Sequence, residues 1–214
     1  MRQSLENMRE QYGNESLDKK SVAKNPVIQF EKWMSEAMYA KLPEPNAMTL
    51  ATADINGKPT ARVVLLKGIE NDAFIFYTNY DSKKGQDLLY NPYATLVFYW
   101  HPIEKQIRIE GRVEKVSAEQ SEKYFHSRPR ASQLSGAVSP QSSIISNRKV
   151  LVDKVEALKK EIGENEIPRP KSWGGYRVIP NRFEFWQGRA DRLHDRVVYI
   201  QAENNGWKIE RLAP

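Results

Sequence analysis

Apolar positions in the first quarter of the chain recur at helical spacing, and from Met48 onward they gather into short runs separated by turn signals. Phe30, Trp33, Met34, Ala37 and Met38 repeat every three or four positions behind Asn25-Pro26. An N-cap residue followed by proline at the first helical position predicts a helix there. "MTLATAD", "TARVVLLK", "AFIFYTN" and "YATLVFYW" are β-rich runs punctuated by Asn56-Gly57 and Asn91-Pro92, and the first pair reads as a hairpin. Ser82 to Tyr90 predicts a short helix stopped before Pro92, and "EKQIRIEGRVEKV" a long strand. Helical patterning returns over Ala118 to His126, again after Ser127-Arg128-Pro129, and over Val150 to Ile162. The last segment sets Val152, Val155, Leu158 and Ile162 opposite a charged face. "WGGYRVIP", "RFEFWQG", "RLHDRVVYIQ" and "GWKIERL" predict four further strands. Strands joined mainly by short turns, with helices inserted in blocks, imply an α+β fold around an antiparallel sheet or barrel.

Composition narrows the chemistry. A chain of 214 residues that is 40% hydrophobic is long enough for one sizeable core. The first 25 residues are polar and weakly patterned, with Arg9 and Tyr12 as anchors, so the expected organisation is a flexible arm over 1–25 and a single domain over 26–214. The absence of cysteine removes disulfides, thiol nucleophiles and Cys-based metal sites, so redox chemistry requires a cofactor. "MRQSLENMREQY" lacks an apolar core and no run approaches the roughly 18 apolar residues of a membrane span, which predicts a soluble, cytoplasmic protein. A net charge of +6 favours anionic partners. The basic residues are interspersed with acids and show no nucleic-acid recognition pattern. His101, His126 and His194 lack metal-ligand spacing, and neither a P-loop nor a G-x-G-x-x-G is present, so metal sites and a dinucleotide fold are not expected.

Four clusters carry candidate chemistry. In "FWQGRADRLHDR", Phe185 to Arg196, strand alternation would set Arg192, His194, Arg196, Val198 and Ile200 on one face. Spacing alone leaves two readings open, a ligand-facing strand or a sheet rim paired with Asp191, Asp195 or Glu184. Lys83 and Lys84 fall in the first turn of a helix, where the dipole disfavours cations and free N–H groups favour an anion; a bound phosphate or simple solvent exposure both resolve this. Tyr124, Arg128 and Ser132, at i, i+4 and i+8, converge on one phosphate if the two helical segments run straight on. Arg62 and Lys67 bracket an apolar run, but their parity differs, so an undistorted strand sends them to opposite faces.

These residues resemble a known family. "EFWQGRADRLHDR" is similar to the signature of the pyridoxine 5′-phosphate oxidases, and "RVVLLK", "FYTNYDSKKG", "KYFHSRPRASQ", "SPQSS" and "WGGYRV" resemble its other blocks in order, from about residue 9 to "WKIERLAP". The resemblance implies a homodimeric, antiparallel FMN-binding split β-barrel with peripheral helices. It implies oxidation of pyridoxine 5′-phosphate or pyridoxamine 5′-phosphate to pyridoxal 5′-phosphate, with O2 as acceptor and H2O2 as co-product. FMN would be held at the subunit interface by Arg62, Val63, Val64, Leu65, Leu66, Lys67, Tyr77, Thr78, Lys83, Lys84, Gln106, Gln141, Ser142, Trp186 and Arg196. The substrate would meet Lys67, Tyr124, Arg128 and Ser132 at its phosphate, Arg192 and His194 at its ring as the catalytic pair, and Arg9 and Tyr12 from the arm. The flavin carries the redox chemistry while the protein supplies orientation and charge. Two other functions compete on the same fold, a non-catalytic flavin or pyridoxal phosphate carrier and a nicotinamide-dependent flavin reductase.

Overall fold

The computed structural model describes residues 11–13, 15–203 and 206–214. Among the described residues five α-helices, α1 (Pro26–Tyr39), α2 (Lys83–Tyr90), α3 (Ala118–Ser127), α4 (Arg130–Val138) and α5 (Lys149–Ile162), accompany nine strands. The strands are β1 (Ala47–Ala53), β2 (Pro59–Leu65), β3 (Gly68–Glu70), β4 (Ala73–Asn79), β5 (Tyr93–Trp100), β6 (Lys105–Lys115), β7 (Trp173–Gln187), β8 (Asp195–Gln201) and β9 (Trp207–Leu212). They form one sheet in the order β2-β1-β5-β6-β7-β4-β3, with β8 on β7 and β9 on β8. Among the described residues no helix is long and apolar enough to cross a membrane. The chain divides into two compact units, one comprising the described residues of Met1–Thr49, Thr95–Glu110 and Pro180–Pro214, the other Leu50–Ala94 and Gly111–Ile179.

In the first unit, α1 starts where the sequence predicts: Asn25 accepts from the Val27 N–H at 2.7 Å and Pro26 opens the first turn. Its buried stripe is Val27, Phe30, Trp33 and Ala37, with Trp33 edge-on to Phe185 at 5.2 Å and Phe30 to Phe98 at 5.0 Å. Each such ring withdraws an area worth roughly 1.5–3 kcal/mol. The end of β7 pairs with β8 in the register Phe183↔Tyr199 and Phe185↔Val197, all four side chains fully buried. The strand predicted from Arg192 begins only at Asp195. Asp191 (φ 55) and Arg192 (φ 61) are left-handed, a conformation no extended strand accommodates. The alternation expected of Arg192, His194 and Arg196 is thereby overturned.

The second unit is centred on β4 and the start of β7, in the register Phe74↔Val178 to Asn79↔Trp173. The two strands predicted at "WGGYRVIP" and "RFEFWQG" are one, β7, running through Pro180. Pro180 falls between the β4 register, which ends at Val178, and the β8 register, which starts at Arg182. Phe125, Leu134, Ile167 and Trp173 form a cluster on which Val155, Leu158 and Ile162 of α5 pack. Val152, expected on that face, is 47% exposed. The helix predicted over Ser82 to Tyr90 forms over Lys83–Tyr90, with Ser82 as its cap, accepting from the Gly85 N–H. Gly85 is required there, since a Cβ would fall 1.9 Å from the Tyr80 carbonyl oxygen.

Candidate active site

A cavity of about 420 Å3 in the second unit is lined by Arg62, Val63, Val64, Leu65, Lys67, Tyr77, Thr78, Lys84, Tyr124, Arg128, Gln141 and Trp173. Lys84 is its most constrained cation. Only 7% exposed, it donates to Gln141 Oε1 at 2.8 Å, Ser82 Oγ at 3.1 Å and Thr78 Oγ1 at 3.2 Å, and has no carboxylate partner among the described residues. Burial, aided by nearby Arg62, pulls its pKa down to about 8. Lys83 departs from it: its ammonium pairs with Asp87 and lies 3.8 Å from Asp54, away from the cavity lining. The conflict in the first turn is thus resolved differently for each lysine, by an acid one turn on for Lys83 and by neutral acceptors for Lys84.

The straight helix expected to align Tyr124, Arg128 and Ser132 does not form. Arg128 precedes a proline, which disfavours helical backbone, and it adopts an extended conformation (ψ 151) between α3 and α4. The corner still brings two of the three into the cavity, while Ser132 touches Arg128 only through its backbone carbonyl. Tyr124 and Arg128 line the cavity, and Arg128 Nη2 donates to the Ser132 carbonyl at 2.8 Å. The guanidinium lies 4.7 Å over Trp173, and its buried Nη1 has no hydrogen-bond partner among the described residues. Gly136 makes room: a Cβ there would sit 3.0 Å from that nitrogen. Tyr77 stacks on Tyr124 at 3.8 Å, and burial above all raises the Tyr77 phenol to about 12, which keeps it protonated. Because β2 ends at Leu65, the parity conflict between Arg62 and Lys67 does not arise, and both line the cavity. Leu66 turns into the core, and Ser142 is exposed with a left-handed φ of 73.

The remaining candidates belong to the first unit. Tyr12, Trp186 and His194 cluster there, with centroids 5.6 Å (Tyr12 to Trp186), 5.3 Å (Tyr12 to His194) and 4.8 Å (Trp186 to His194) apart. His194 Nδ1 accepts from the Arg189 N–H at 3.1 Å, which leaves the proton of the neutral ring on Nε2. Arg196 Nε donates to the buried Glu184 at 2.8 Å, and its Nη1 to the Ala213 carbonyl. Here the rim pairing with Glu184 holds for Arg196. Arg192 is exposed and makes no hydrogen bond or ion pair with the described residues. Gln106 is half-buried in β6, and Arg9 lies outside the described residues.

Residues 34–160 match the family model described as pyridoxamine 5′-phosphate oxidase, and residues 173–214 the model described as pyridoxine 5′-phosphate oxidase C-terminal dimerisation region. A relative from Burkholderia multivorans (strain ATCC 17616 / 249), named pyridoxine/pyridoxamine 5′-phosphate oxidase, is 51% identical over 99% of both chains. The chain belongs to the pyridoxamine 5′-phosphate oxidase family. One from Burkholderia ambifaria with the same name is 50% identical over 99% of both chains. Among solved structures, PhzG from Burkholderia lata 383, in complex with tetrahydrophenazine-1-carboxylic acid, superposes with a TM-score of 0.87 at 29% identity, covering 94% of this chain and 99% of that one. A pyridoxamine 5′-phosphate oxidase-related, FMN binding protein from Nostoc punctiforme shares the fold at TM-score 0.70 and 18% identity, over 91% and 99%.

For this pyridoxamine 5′-phosphate oxidase family member, sequence reasoning missed the residues behind the cavity. Trp173, which stacks near Tyr77 at 5.6 Å and under Arg128, reads from sequence as an ordinary start of a strand. Asp87, Thr52 and Thr60 converge on Arg62 from three separate elements, and no local spacing signals that meeting. Glu184, already a candidate partner for the arginines, is buried between Phe183 and Phe185 and so requires a cation.

Proposed function

We propose that the protein is an FMN-dependent oxidase that converts pyridoxine 5′-phosphate or pyridoxamine 5′-phosphate to pyridoxal 5′-phosphate. The observation that carries this reading is that Lys84 and Arg128 are sheltered in one cavity without a carboxylate among the described residues, each suited to an anion. A cation withdrawn from water is stabilised when a ligand supplies the opposite charge. Two such cations suit two phosphates, one on the flavin and one on the substrate.

Lys84, Thr78, Gln141 and Arg62 would hold the flavin phosphate, and Arg128, Tyr124, Ser132 and Lys67 the substrate phosphate. Bound FMN supplies the two-electron acceptor that a chain without cysteine lacks. Trp186, Arg196 and Gln106 would complete the flavin site, and the dimerisation-region match supports a homodimer with FMN at the subunit interface. His194, carrying its proton on Nε2, would meet the substrate as a hydrogen-bond donor, while Arg192 orients the C4′ substituent. The balance is simple. The alcohol gives up two electrons and two protons to become an aldehyde as O2 becomes H2O2, and the amine additionally takes up water and releases ammonia.

The test is release of peroxide and pyridoxal 5′-phosphate from pyridoxine 5′-phosphate and O2 without any nicotinamide. A carrier gives neither product, and a flavin reductase consumes a nicotinamide first. Unphosphorylated pyridoxine should be a poor substrate; equal turnover of both would remove the phosphate role of Arg128.

A further inference from the structure

Asp87 is an acid in the middle of α2 whose side chain is 1% exposed, and the proposed reaction makes no use of it. Its Oδ2 accepts from Thr52 Oγ1 and Thr60 Oγ1, both at 2.7 Å, and its Oδ1 from Lys83. Burial alone would raise its pKa, but the hydrogen bonds from Lys83, Thr52 and Thr60 outweigh that and hold it below the ordinary carboxylate value. Ionised, Asp87 can only accept, so each threonine spends its single hydroxyl proton on it. The two hydroxyls are therefore left as acceptors. Arg62 uses them: Nη1 donates to Thr52 Oγ1 at 2.7 Å and to the Leu50 carbonyl at 3.2 Å, and Nη2 to Thr60 Oγ1. The carboxylate itself stays 3.9 Å from Arg62.

We propose that Asp87 is a positioning residue for anion binding, fixing the proton direction of Thr52 and Thr60 so that both hydroxyls clamp the Arg62 guanidinium at the cavity wall. This rests on the assignment of Arg62 to the flavin phosphate. With Asn at position 87, an NH2 group replaces one acceptor, at least one hydroxyl loses its reason to point inward, and Arg62 loses its fixed heading.

Sign separates this from plain electrostatics. Removing a negative charge from behind an anion site should, by Coulomb's law alone, tighten binding of the anion. Positioning requires the reverse. The experiment titrates FMN into flavin-stripped, full-length protein by fluorescence quenching, with folding checked by circular dichroism. Asp87→Asn and Thr52→Val should each weaken FMN by ~10-fold, the scale of one charge-assisted hydrogen bond, and Thr52→Ser should restore wild-type affinity. In an Arg62→Gln background the further change Asp87→Asn should have no effect, because its action passes through that guanidinium. Tighter or unchanged binding by Asp87→Asn, or fully additive effects in the double variant, would overturn the proposal. Should Asp87→Asn not fold, Thr52→Val with Arg62→Gln carries the same cycle. A wild-type chain that binds no FMN would overturn the flavin reading together with this one.

Discussion

Lys84→Met removes a buried ammonium while keeping most of its aliphatic length, and the structure sets both the direction and the size of the response. Burial holds the Lys84 pKa at about 8 against an ordinary 10.5, a depression of 10.5 − 8 = 2.5 units. At about 1.4 kcal/mol per unit, keeping that proton in the ligand-free protein at neutral pH costs about 3 kcal/mol. Its folded pKa lies below its unfolded one, so between pH 8 and 10.5 the unfolded chain holds more protons and stability from this group rises with pH. Flavin binding runs the other way. A phosphate favours the charged form, so above pH 8 binding must take up a proton and affinity should fall, by ~30-fold near pH 9.5. Lys84→Met should bind FMN ~10-fold to 150-fold more weakly at pH 7, the range of a lost charge-assisted hydrogen bond, and should show no decline between pH 8 and about 9.5. Flavin fluorescence quenching across that range measures both curves. Parallel curves for the two proteins, or a variant that binds as tightly as wild type at pH 7, would refute the assignment of Lys84 to the flavin phosphate.

Arg128→Ala should raise KM for the phosphorylated substrate by ~10-fold to 150-fold with a smaller loss in kcat, since a phosphate remote from the reacting carbon contributes mainly uniform binding; steady-state peroxide release measures the split. Arg192→Leu should keep its flavin, absorb like wild type in the visible, and turn over at least ~10-fold more slowly through misplacement of the C4′ substituent. Arg196→Leu should instead lose flavin on dilution and melt at a lower temperature, because it strips one cation from buried Glu184, leaving Arg108 at 3.4 Å. Similar flavin retention in the two variants would show that the roles of Arg192 and Arg196 are not divided.

What the sequence made legible was local. Asn25-Pro26 marks a helix start because capping uses atoms two or three residues away, and the cap forms; the short helix read from Ser82 also forms, one residue later. Where partners are distant, the pattern misleads. Pro180 reads as a break, yet β7 passes through it, at a position outside the β4 and β8 registers. "RLHD" reads as strand by alternation, yet two successive left-handed residues, neither of them glycine, turn it into a loop. The spacing of Tyr124, Arg128 and Ser132 assumes a continuous helix; the proline interrupts it, leaving Tyr124 and Arg128 in the cavity and Ser132 in contact with Arg128 only through its carbonyl. Arg62 was visible as a charge beside an apolar run, but its clamp was not: Asp87 resembles any acid on a polar helix until Thr52 and Thr60 are placed against it.

The β4–β7 register has a consequence for how the chain is made. Phe76 lies opposite Tyr176, so one edge of β4, the edge away from β3, must wait for a partner translated a hundred residues later. Phe74 and Phe76 are fully buried in the finished protein, and "AFIFY" is an apolar, uncharged, proline-free run of the kind that self-associates when its edges are bare. At roughly 5–20 residues per second on the ribosome, the β7-side edge of that segment, whose other edge pairs at once with β3, stays bare for about 5–20 seconds in each nascent chain. The β7–β8–β9 meander, by contrast, pairs neighbours in sequence. Slower growth after induction should therefore favour soluble yield only if chaperones cover "AFIFY" during that wait, which makes the interval before Trp173 the vulnerable period of the protein's synthesis.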